Sequence, residues 1–230
     1  NTTGVGQIYV CNGSSSSSRI SVYDMNGSLD RHITIANNRY HLRDLVLDQN
    51  GTIYIAEYYA VTCLQNDGTF KWRTGKNASI SNYGSSGSGN GEFNHASGIT
   101  IGKDGNLFVA ESGNKRVQIL DKNGSFVRKF GSSGTAPGQF QSYAYDVESL
   151  LDGTLVVRDY SGLNYFDHNG TFIKRLHPPG GNNLETGYLA ISKSDEILTY
   201  ANRNFDGSNV YDLFVYNSNG EQIARFTNDS

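Results

Sequence analysis

The chain has 230 residues, and its 19 basic and 22 acidic residues give a formal net charge of −3. This balance, with no Lys/Arg run longer than two, gives no electrostatic reason to expect a nucleic-acid partner. No apolar stretch approaches the roughly 18 residues that a membrane span requires, so membrane insertion is not predicted either.

Two segments of nearly the same sequence lie 47 residues apart: YGSSGSGNGEF at 83–93 and FGSSGTAPGQF at 130–140. A repeat of this length made of short strands is typical of a β-propeller, in which each repeat forms one radial blade. Alternating apolar residues and Asn-Gly or Asp-Gly turns recur along the whole chain, and no segment shows helical periodicity. We therefore predict an all-β fold with no helix longer than a turn.

In chain order, the strand and turn signals divide residues 1–230 into five units of a single β-propeller domain. Four units have strands a, b, c and d, whereas the first unit lacks its own strand a, which gives nineteen predicted strands. Asp104-Gly105 and Asn123-Gly124 predict two-residue type I′ hairpins, in which both turn residues take positive φ. The approximate unit bounds are 1–36, 37–82, 83–140, 141–184 and 185–230.

Unit three carries a characteristic succession of short motifs: GEF at 91–93, GI at 98–99, DGNLFVAE at 104–111, NKRVQ at 114–118 and NG at 123–124. This succession resembles the NHL repeat. The match is close in unit three, good in units two and four, and weak in units one and five. The resemblance implies a propeller of NHL-like blades and retains the acid/Arg pair of the family as Glu111 and Arg116. Units two and four have Ala60 and Gly162 where that Arg is expected.

The missing first strand bears on how the ring closes. NHL propellers usually have six blades and often complete the first blade with a strand from the other end of the chain. Here only about four residues follow the last predicted strand, too few to supply one. Three arrangements stay open: a five-bladed ring with one three-stranded blade, a part of a longer chain, or a strand donated by another molecule. The open edge of blade one is accordingly a predicted site of self-assembly.

The resemblance also brings in one enzyme, the peptidyl-hydroxyglycine amidating lyase, which binds zinc through a His placed directly before the strand a Gly/Asp position in three blades. His41 and His95 lie near strand a in this chain, but catalytic zinc needs three protein ligands. We predict no metal site, no cofactor and no catalytic residue, and keep a lyase of this type as an alternative. The positions of the zinc ligands are occupied here by Arg43, Ser97, Tyr145 and Gly187.

Two acids and two cysteines allow alternative interpretations. Asp44 and Asp146 begin strand a of units two and four, so both are expected at one mouth of the central channel. A cation there is conceivable, but we favour carboxylates that accept backbone N–H bonds. Cys11 and Cys63 could form one disulfide or remain two small buried thiols.

The chain has eight Asn-X-Ser/Thr sequons where roughly four are expected by chance. An Asn-Gly turn followed by Ser or Thr also produces this pattern without any glycan. We nevertheless predict a glycoprotein that is extracellular or at the cell surface, with the four turn asparagines Asn26, Asn50, Asn123 and Asn169 on one face of the propeller. The eight candidate positions are Asn1, Asn12, Asn26, Asn50, Asn77, Asn123, Asn169 and Asn228.

The opposite face, made of d–a and b–c loops, gathers aromatic and charged side chains. Tyrosine offers a large rigid surface with a polar tip, which suits peptide or sugar contacts, although some of these rings could instead pack between blades. We predict a non-enzymatic interaction module that binds a protein or glycan there; the alternatives are the lyase and an intracellular RNA-binding NHL module, which would need a basic face. The predicted residues are Tyr40, His41, Arg43, Tyr58, Tyr59, Glu111, Tyr143, Tyr145, Arg158, Asp159 and Tyr160.

Overall fold

The computed structural model describes residues 6–13, 18–35, 42–160, 162–177, 188–203 and 210–227. These residues form twenty-one β-strands and no helix that is long and apolar enough to cross a bilayer. Five antiparallel sheets follow one another along the chain as the blades of a β-propeller, which confirms the predicted fold class.

Blade one is three-stranded, with β1 (Gln7–Gly13), β2 (Ser18–Asp24) and β3 (Leu29–Thr34). The other blades are four-stranded. Blade two contains β4 (Leu42–Leu47), β5 (Ile53–Glu57), β6 (Ala60–Leu64) and β7 (Phe70–Thr74). Blade three contains β10 (Ala96–Ile101), β11 (Leu107–Glu111), β12 (Arg116–Leu120) and β13 (Phe126–Phe130). Blade four contains β14 (Asp146–Ser149), β15 (Leu155–Asp159), β16 (Gly162–Phe166) and β17 (Phe172–Leu176). Blade five contains β18 (Leu189–Ile191), β19 (Ile197–Arg203), β20 (Val210–Tyr216) and β21 (Gln222–Phe226).

One element departs from the predicted strand plan. A two-stranded hairpin, β8 (Lys76–Ser79) and β9 (Asn82–Ser85), lies between blades two and three as a separate sheet. Its sequence is polar and short, so it lacks the apolar alternation by which the blade strands are recognised. The nineteen predicted strands are the blade strands, and the hairpin is an addition to them.

The turns differ from the predicted type I′ geometry in a consistent way. In the turn after β12, Gly124 has φ +83°, whereas Asn123 stays outside the left-handed region. The Asp121 Oδ1 atom accepts the N–H groups of Asn123 at 2.9 Å and Ser125 at 2.8 Å. Because this carboxylate stabilises a longer turn ending in a bulge, only the glycine needs positive φ, and the type I′ prediction is wrong.

The hydrophobic core lies between consecutive blades. We call the face of a blade that packs on the next blade its leading face, and the opposite face its trailing face. At the first junction, Tyr9 and Ile20 on the leading face of blade one pack with Ile53 and Ile55 on the trailing face of blade two. Equivalent clusters join blades two and three, three and four, and four and five. In each inner blade, alternate side chains of a strand therefore point to opposite faces, so that one set packs on the preceding blade and the other set packs on the next blade.

A polar contact repeats beside each of these four cores. In each of blades one to four, one residue of strand d donates a hydrogen bond to a backbone carbonyl in the c–d turn of the next blade. The donor occupies the same register position relative to strand c in all four blades. Three of these bonds measure 3.3 Å, 3.3 Å and 2.7 Å between donor and carbonyl oxygen. The donor and acceptor pairs are Arg31 with Asn66, Trp72 with Lys122, Arg128 with His168, and Lys174 with Asn219.

The two thiols lie in different cores. Cys11 is partly buried at the junction of blades one and two, and Cys63 is fully buried at the junction of blades two and three. Both are free, and burial raises the pKa of Cys11 to about 12 and that of Cys63 to about 11. They act as small apolar residues of the core.

Candidate binding face

The d–a and b–c loops of blades two, three and four bring aromatic and basic side chains together at one end of the channel. Tyr58 lies in the β5–β6 turn, and His95 directly precedes β10. Arg43 lies in β4, and Tyr143 and Tyr145 precede β14. We call the surface formed by these five residues the aromatic–basic face.

The first half of this face is centred on Tyr58. The His95 ring lies on the Tyr58 ring with centroids 3.9 Å apart, and the Arg43 guanidinium lies 5.1 Å from the centre of the same ring. Tyr59 contacts Tyr58 edge to face at 5.0 Å. Burial, and then the charge of Arg43, lower the pKa of His95, which favours the neutral imidazole.

The second half is centred on Tyr143 and Tyr145, whose rings meet edge to face at 5.4 Å. The Arg158 guanidinium lies 4.7 Å from the centre of the Tyr145 ring, and the Lys115 ammonium lies 6.0 Å from that of Tyr143. Cation–π contacts of this kind help to hold the aromatic rings in place. Lys115 has φ +51°, a backbone conformation that the sequence does not reveal.

A cavity of about 360 Å³ lies between the two halves. Its floor includes Ser97, whose hydroxyl donates to the carbonyl oxygens of Ala110 at 3.3 Å and Ala144 at 3.0 Å. The cavity is large enough for one or two side chains of a partner, and it combines ring surfaces with a few polar groups, as binding pockets usually do. Its lining side chains include Arg43, His95, Ser97, Ser112, Tyr143 and Tyr145.

Two predicted face residues lie beneath the surface instead. Glu111 and Asp159 are fully buried. Glu111 accepts the Asn94 N–H at 3.0 Å, and Asp159 accepts the Gln141 N–H at 3.0 Å. Both carboxylates therefore hold the d–a loops in place and have no surface to offer a ligand. An acid at the end of strand b can either contact a ligand or hold a loop in place, so the sequence alone does not distinguish these two roles.

The remaining predicted residues fall into three groups. Tyr58, Tyr143, Tyr145 and Arg43 lie on the face, Tyr59 packs against Tyr58 beside it, and Arg158 supports it from a nearly buried position. Tyr160 is half-buried in the β15–β16 turn. Tyr40 and His41 lie outside the described residues. Their role in binding stays a prediction.

The added hairpin borders this face. The Arg73 guanidinium donates to the Ser79 carbonyl at 3.0 Å and so anchors the hairpin to blade two. Gly75 and Gly84 pass so close to the Tyr59 carbonyl that a Cβ atom would lie 2.5 Å and 3.3 Å from that oxygen. The hairpin thereby fixes the position of the Tyr58–Tyr59 turn.

Comparison with known proteins agrees with this architecture. Residues 93–120 match the NHL repeat model. These residues form the larger part of blade three and the loop before it. A 69-residue stretch of the chain is 39% identical to the RING finger protein nhl-1 of Caenorhabditis elegans, which is 30% of this chain and 7% of that protein. The curated relatives are thus matched over a tenth of their length or less.

Solved structures share the propeller fold at low sequence identity. Virginiamycin B lyase from Staphylococcus aureus aligns over 100% of this chain and 69% of its own, with a TM-score of 0.66 and 13% identity. A chain of the nidogen/laminin complex aligns over 98% of this chain and 77% of its own, with a TM-score of 0.64 and 12% identity. At such identities the likeness shows the fold alone.

The acid/Arg pair of the NHL repeat takes two forms in this chain. In blade three, Arg116 of strand c contacts Glu111. In blade two, Arg73 of strand d contacts Glu57 at 3.2 Å and the Thr62 hydroxyl at 2.7 Å. The guanidinium that the sequence lacks at Ala60 is thus supplied from the neighbouring strand. A sequence motif that expects the Arg on strand c does not detect this exchange, because Arg73 lies on strand d, beyond the c–d turn.

Blades four and five also carry the Arg on strand d. Arg175 donates to the Asn164 side chain at 2.6 Å and to the Gln139 carbonyl at 2.6 Å. Arg225 donates to Asp212 at 2.6 Å. These arginines lie at the register position of Arg73, so the exchange between strands is shared by three blades.

The channel acids bind backbone, in agreement with the interpretation favoured from the sequence. Asp44 accepts the N–H groups of Leu45 at 2.8 Å and of Ile99, in the next blade, at 2.9 Å. Asp146 accepts the Val147 N–H at 2.9 Å. Burial raises the pKa of Asp44 to about 6 and that of Asp146 well above its usual range. Within the described part of the chain, no three His, Cys, Asp or Glu side chains are placed to hold a metal ion.

Of the six candidate glycosylation sites among the described residues, four lie on the turn side of the propeller. Asn26, Asn50, Asn123 and Asn169 are exposed in a–b and c–d turns. Asn77 is exposed in the hairpin β8–β9. Asn12 is only partly exposed in β1, where its amide donates to the Ser21 hydroxyl at 2.7 Å. Asn1 and Asn228 lie outside the described residues.

Proposed function

We propose that this chain is a non-enzymatic interaction propeller that acts outside the cell or at its surface, and that its aromatic–basic face binds an acidic segment of a protein partner. The observation that supports this proposal is the cavity of about 360 Å³ between Arg43, His95, Tyr143 and Tyr145. Loops at one end of a rigid scaffold are a common place for recognition.

The charges around the cavity favour an anionic ligand. Arg43 is exposed and Lys115 is half-exposed, whereas the two acids of the neighbouring strand ends, Glu111 and Asp159, are fully buried and engaged with the d–a loops. The tyrosine rings offer flat apolar area beside these cations. A peptide that combines Asp or Glu with an apolar side chain would use both features.

An extracellular location is supported by the arrangement of the sequons. The four turn asparagines expose their side chains on the side of the propeller opposite the aromatic–basic face. Glycans on those four residues would leave the proposed binding surface free. Mass mapping of glycopeptides from native material tests this part, and unmodified Asn26, Asn50, Asn123 and Asn169 would remove the reason for it.

The binding proposal is tested with a fixed panel of fluorescent probes: Glu/Asp-rich peptides with one aromatic residue, the same peptides with Gln/Asn in place of the acids, a single-stranded RNA, and neutral glycans. We expect the acidic peptides to bind, and Tyr58→Ala with Tyr145→Ala to weaken them at least about tenfold. A matched control, Lys122→Glu with Lys193→Glu on the turn side, should leave affinity unchanged.

Three results would contradict the proposal. Equal binding of the acidic and amide peptides would remove the role of charge. Binding of only RNA or only glycans would name another class of ligand. Loss of affinity in the control alone would move the site to the turn side.

A further inference from the structure

Two carboxylates lie directly beneath the cavity of the aromatic–basic face. The floor of that cavity includes Ser97 of β10. The next residue, Gly98, lies so close to Asp146 that a Cβ atom there would be 2.4 Å from the Asp146 Oδ1 atom. One residue further along the strand, the Ile99 N–H donates to Asp44 at 2.9 Å. The two acids therefore contact consecutive residues that follow the cavity floor.

Each of these acids also neighbours one half of the face. Asp44 directly follows Arg43 in β4. Asp146 directly follows Tyr145 and begins β14. The Arg158 guanidinium, 4.7 Å from the centre of the Tyr145 ring, is attracted by the charge of Asp146. When they are ionised, the two carboxylates oppose the attraction between the cations of the face and an anionic ligand.

The charge of the two acids changes near neutral pH. Burial raises the pKa of Asp44 to about 6. Burial, and then the charges of Asp44 and Glu148, raise the pKa of Asp146, although Arg158 acts in the opposite direction. The titratable and charged groups that face these acids are each other, Glu148 and Arg158 of blade four, and Cys11 of blade one. Burial raises the pKa of the Cys11 thiol to about 12, so this thiol carries no charge here.

We propose that the aromatic–basic face holds an acidic ligand more tightly at mildly acidic pH than at neutral pH, because protonation removes the opposing charges of Asp44 and Asp146. This regulation rests on the function proposed above, since it needs an anionic ligand on the face. Linkage is reciprocal, so a ligand that prefers the protonated acids also raises their pKa values. Binding at about pH 6.5 should therefore take up protons from solvent.

His95 is the other group on the face that could make binding depend on pH. Its ring lies on that of Tyr58, and burial, followed by the charge of Arg43, lowers its pKa. A protonated imidazole would also attract an anion, so the two origins have to be separated by substitution. Asn suits this position because it tolerates the φ of +55° that His95 has.

The test compares the affinity of the acidic fluorescent peptides at about pH 5.5 and about pH 7.5, since their carboxylates, with pKa values of about 4, stay ionised at both. The wild type should bind at least about threefold more tightly at the lower pH. Asp44→Asn with Asp146→Asn should bind nearly equally at both pH values, and the Asn side chains can still accept the backbone N–H bonds. His95→Asn should keep the wild-type ratio of affinities.

A matched control removes two charges far from the cavity. Asp104→Asn with Asp152→Asn changes two exposed acids of a–b turns and should keep the wild-type ratio. Calorimetry at about pH 6.5, in two buffers of different ionisation enthalpy, measures the protons taken up on peptide binding. Uptake is expected for the wild type and for this control, but not for Asp44→Asn with Asp146→Asn.

The outcomes separate this regulation from the binding function on which it rests. No binding of the acidic peptides at either pH would overturn both. Equal affinity of the wild type at the two pH values would overturn the regulation and leave the binding function standing. The same holds for a pH dependence that His95→Asn removes, because the imidazole would be its origin. It also holds for one that the control variant removes as fully as the channel variant, because net charge would then be its cause.

Discussion

Blades three and five have the same strand order and register, yet they present opposite extremes of burial. Blade three has a neighbour on each face, and all five residues of β11 and of β12 are buried. Within the described part of the chain, blade five has a neighbour on one face only, and its strand c alternates between buried Phe214 and partly exposed Leu213. The comparison shows that the side chains of an apolar strand are buried when its blade lies between two neighbouring blades, whatever the residue type.

The largest expected difference between these blades is in their buried acids. Glu111 is enclosed in blade three and contacts Arg116, Gln118 and Asn114, and burial raises its pKa in spite of these partners. Glu111→Ala should lower the free energy of unfolding by about 3–5 kcal/mol, since it leaves a buried guanidinium without its counterion.

Asp212→Ala in blade five is the matched change. The Arg225 side chain is 35% exposed and can be hydrated when Asp212 is removed, so the loss should be about 1–2 kcal/mol. Denaturant titration of both variants measures the difference. Equal losses of unfolding free energy would show that the acid of blade five is as well enclosed as the acid of blade three.

A pair of identical residues tests the same contrast in the core. Leu163 and Leu213 occupy one register position of strand c in blades four and five, and they are 0% and 36% exposed. Leu163→Ala should cost about 2–5 kcal/mol because it opens a cavity between two blades. Leu213→Ala, measured at low protein concentration, should cost less than about 1 kcal/mol. A large loss at Leu213 would mean that a partner surface already covers it.

The smallest of the three expected differences concerns the channel, which the inner blades enclose. Burial, and then the charge of Asp44, raise the pKa of Glu148 to about 8, although the Thr100 hydroxyl donates to it at 3.1 Å. The folded state therefore holds this proton more tightly than the unfolded state, and the contribution of Glu148 to stability falls as pH rises from about 4.5 to about 8.

Replacing Glu148 with Gln removes this dependence. Relative to the variant, the wild type should lose about 1–2 kcal/mol between pH 5 and pH 8, after allowance for solvent in the channel. Urea titration at both pH values measures the loss. Parallel pH profiles for the two proteins would show that Glu148 is ionised throughout this range.

The sequence predicts the fold well because the signals for turns and strands lie within short segments and recur along the chain. Asn-Gly and Asp-Gly turns and alternating apolar residues define the nineteen blade strands, and the three-stranded first blade follows from them. The type of turn was not predicted correctly, because the Asp121 side chain acts on amides two and four residues ahead. The hairpin β8–β9 was missed because its polar sequence lacks a periodic signal.

The binding face is less predictable, since it depends on how loops from different blades meet. Tyr58 and Tyr145 can be assigned to the correct end from strand order alone. His95 and Lys115 reach the face through positive φ angles of +55° and +51°, which nothing in their neighbours requires. Glu111 and Asp159 show the converse error, because an acid at the end of strand b can point to solvent or hold a loop from below.

The turn bonds between blades bear on how far such repeats can diverge. In each of them a backbone carbonyl accepts the bond, at Asn66, Lys122, His168 or Asn219. At the first junction the Asn66 side chain takes part as well, because its Oδ1 accepts from Arg31 at 2.6 Å and from the Tyr9 hydroxyl at 3.0 Å. The donor also varies, from Arg to Trp to Lys. A hydrogen bond that is accepted by a main-chain carbonyl does not require one particular side chain at the acceptor position. The five blades of this propeller thus stack although their sequences differ, and the stretch at 93–120 matches the repeat model.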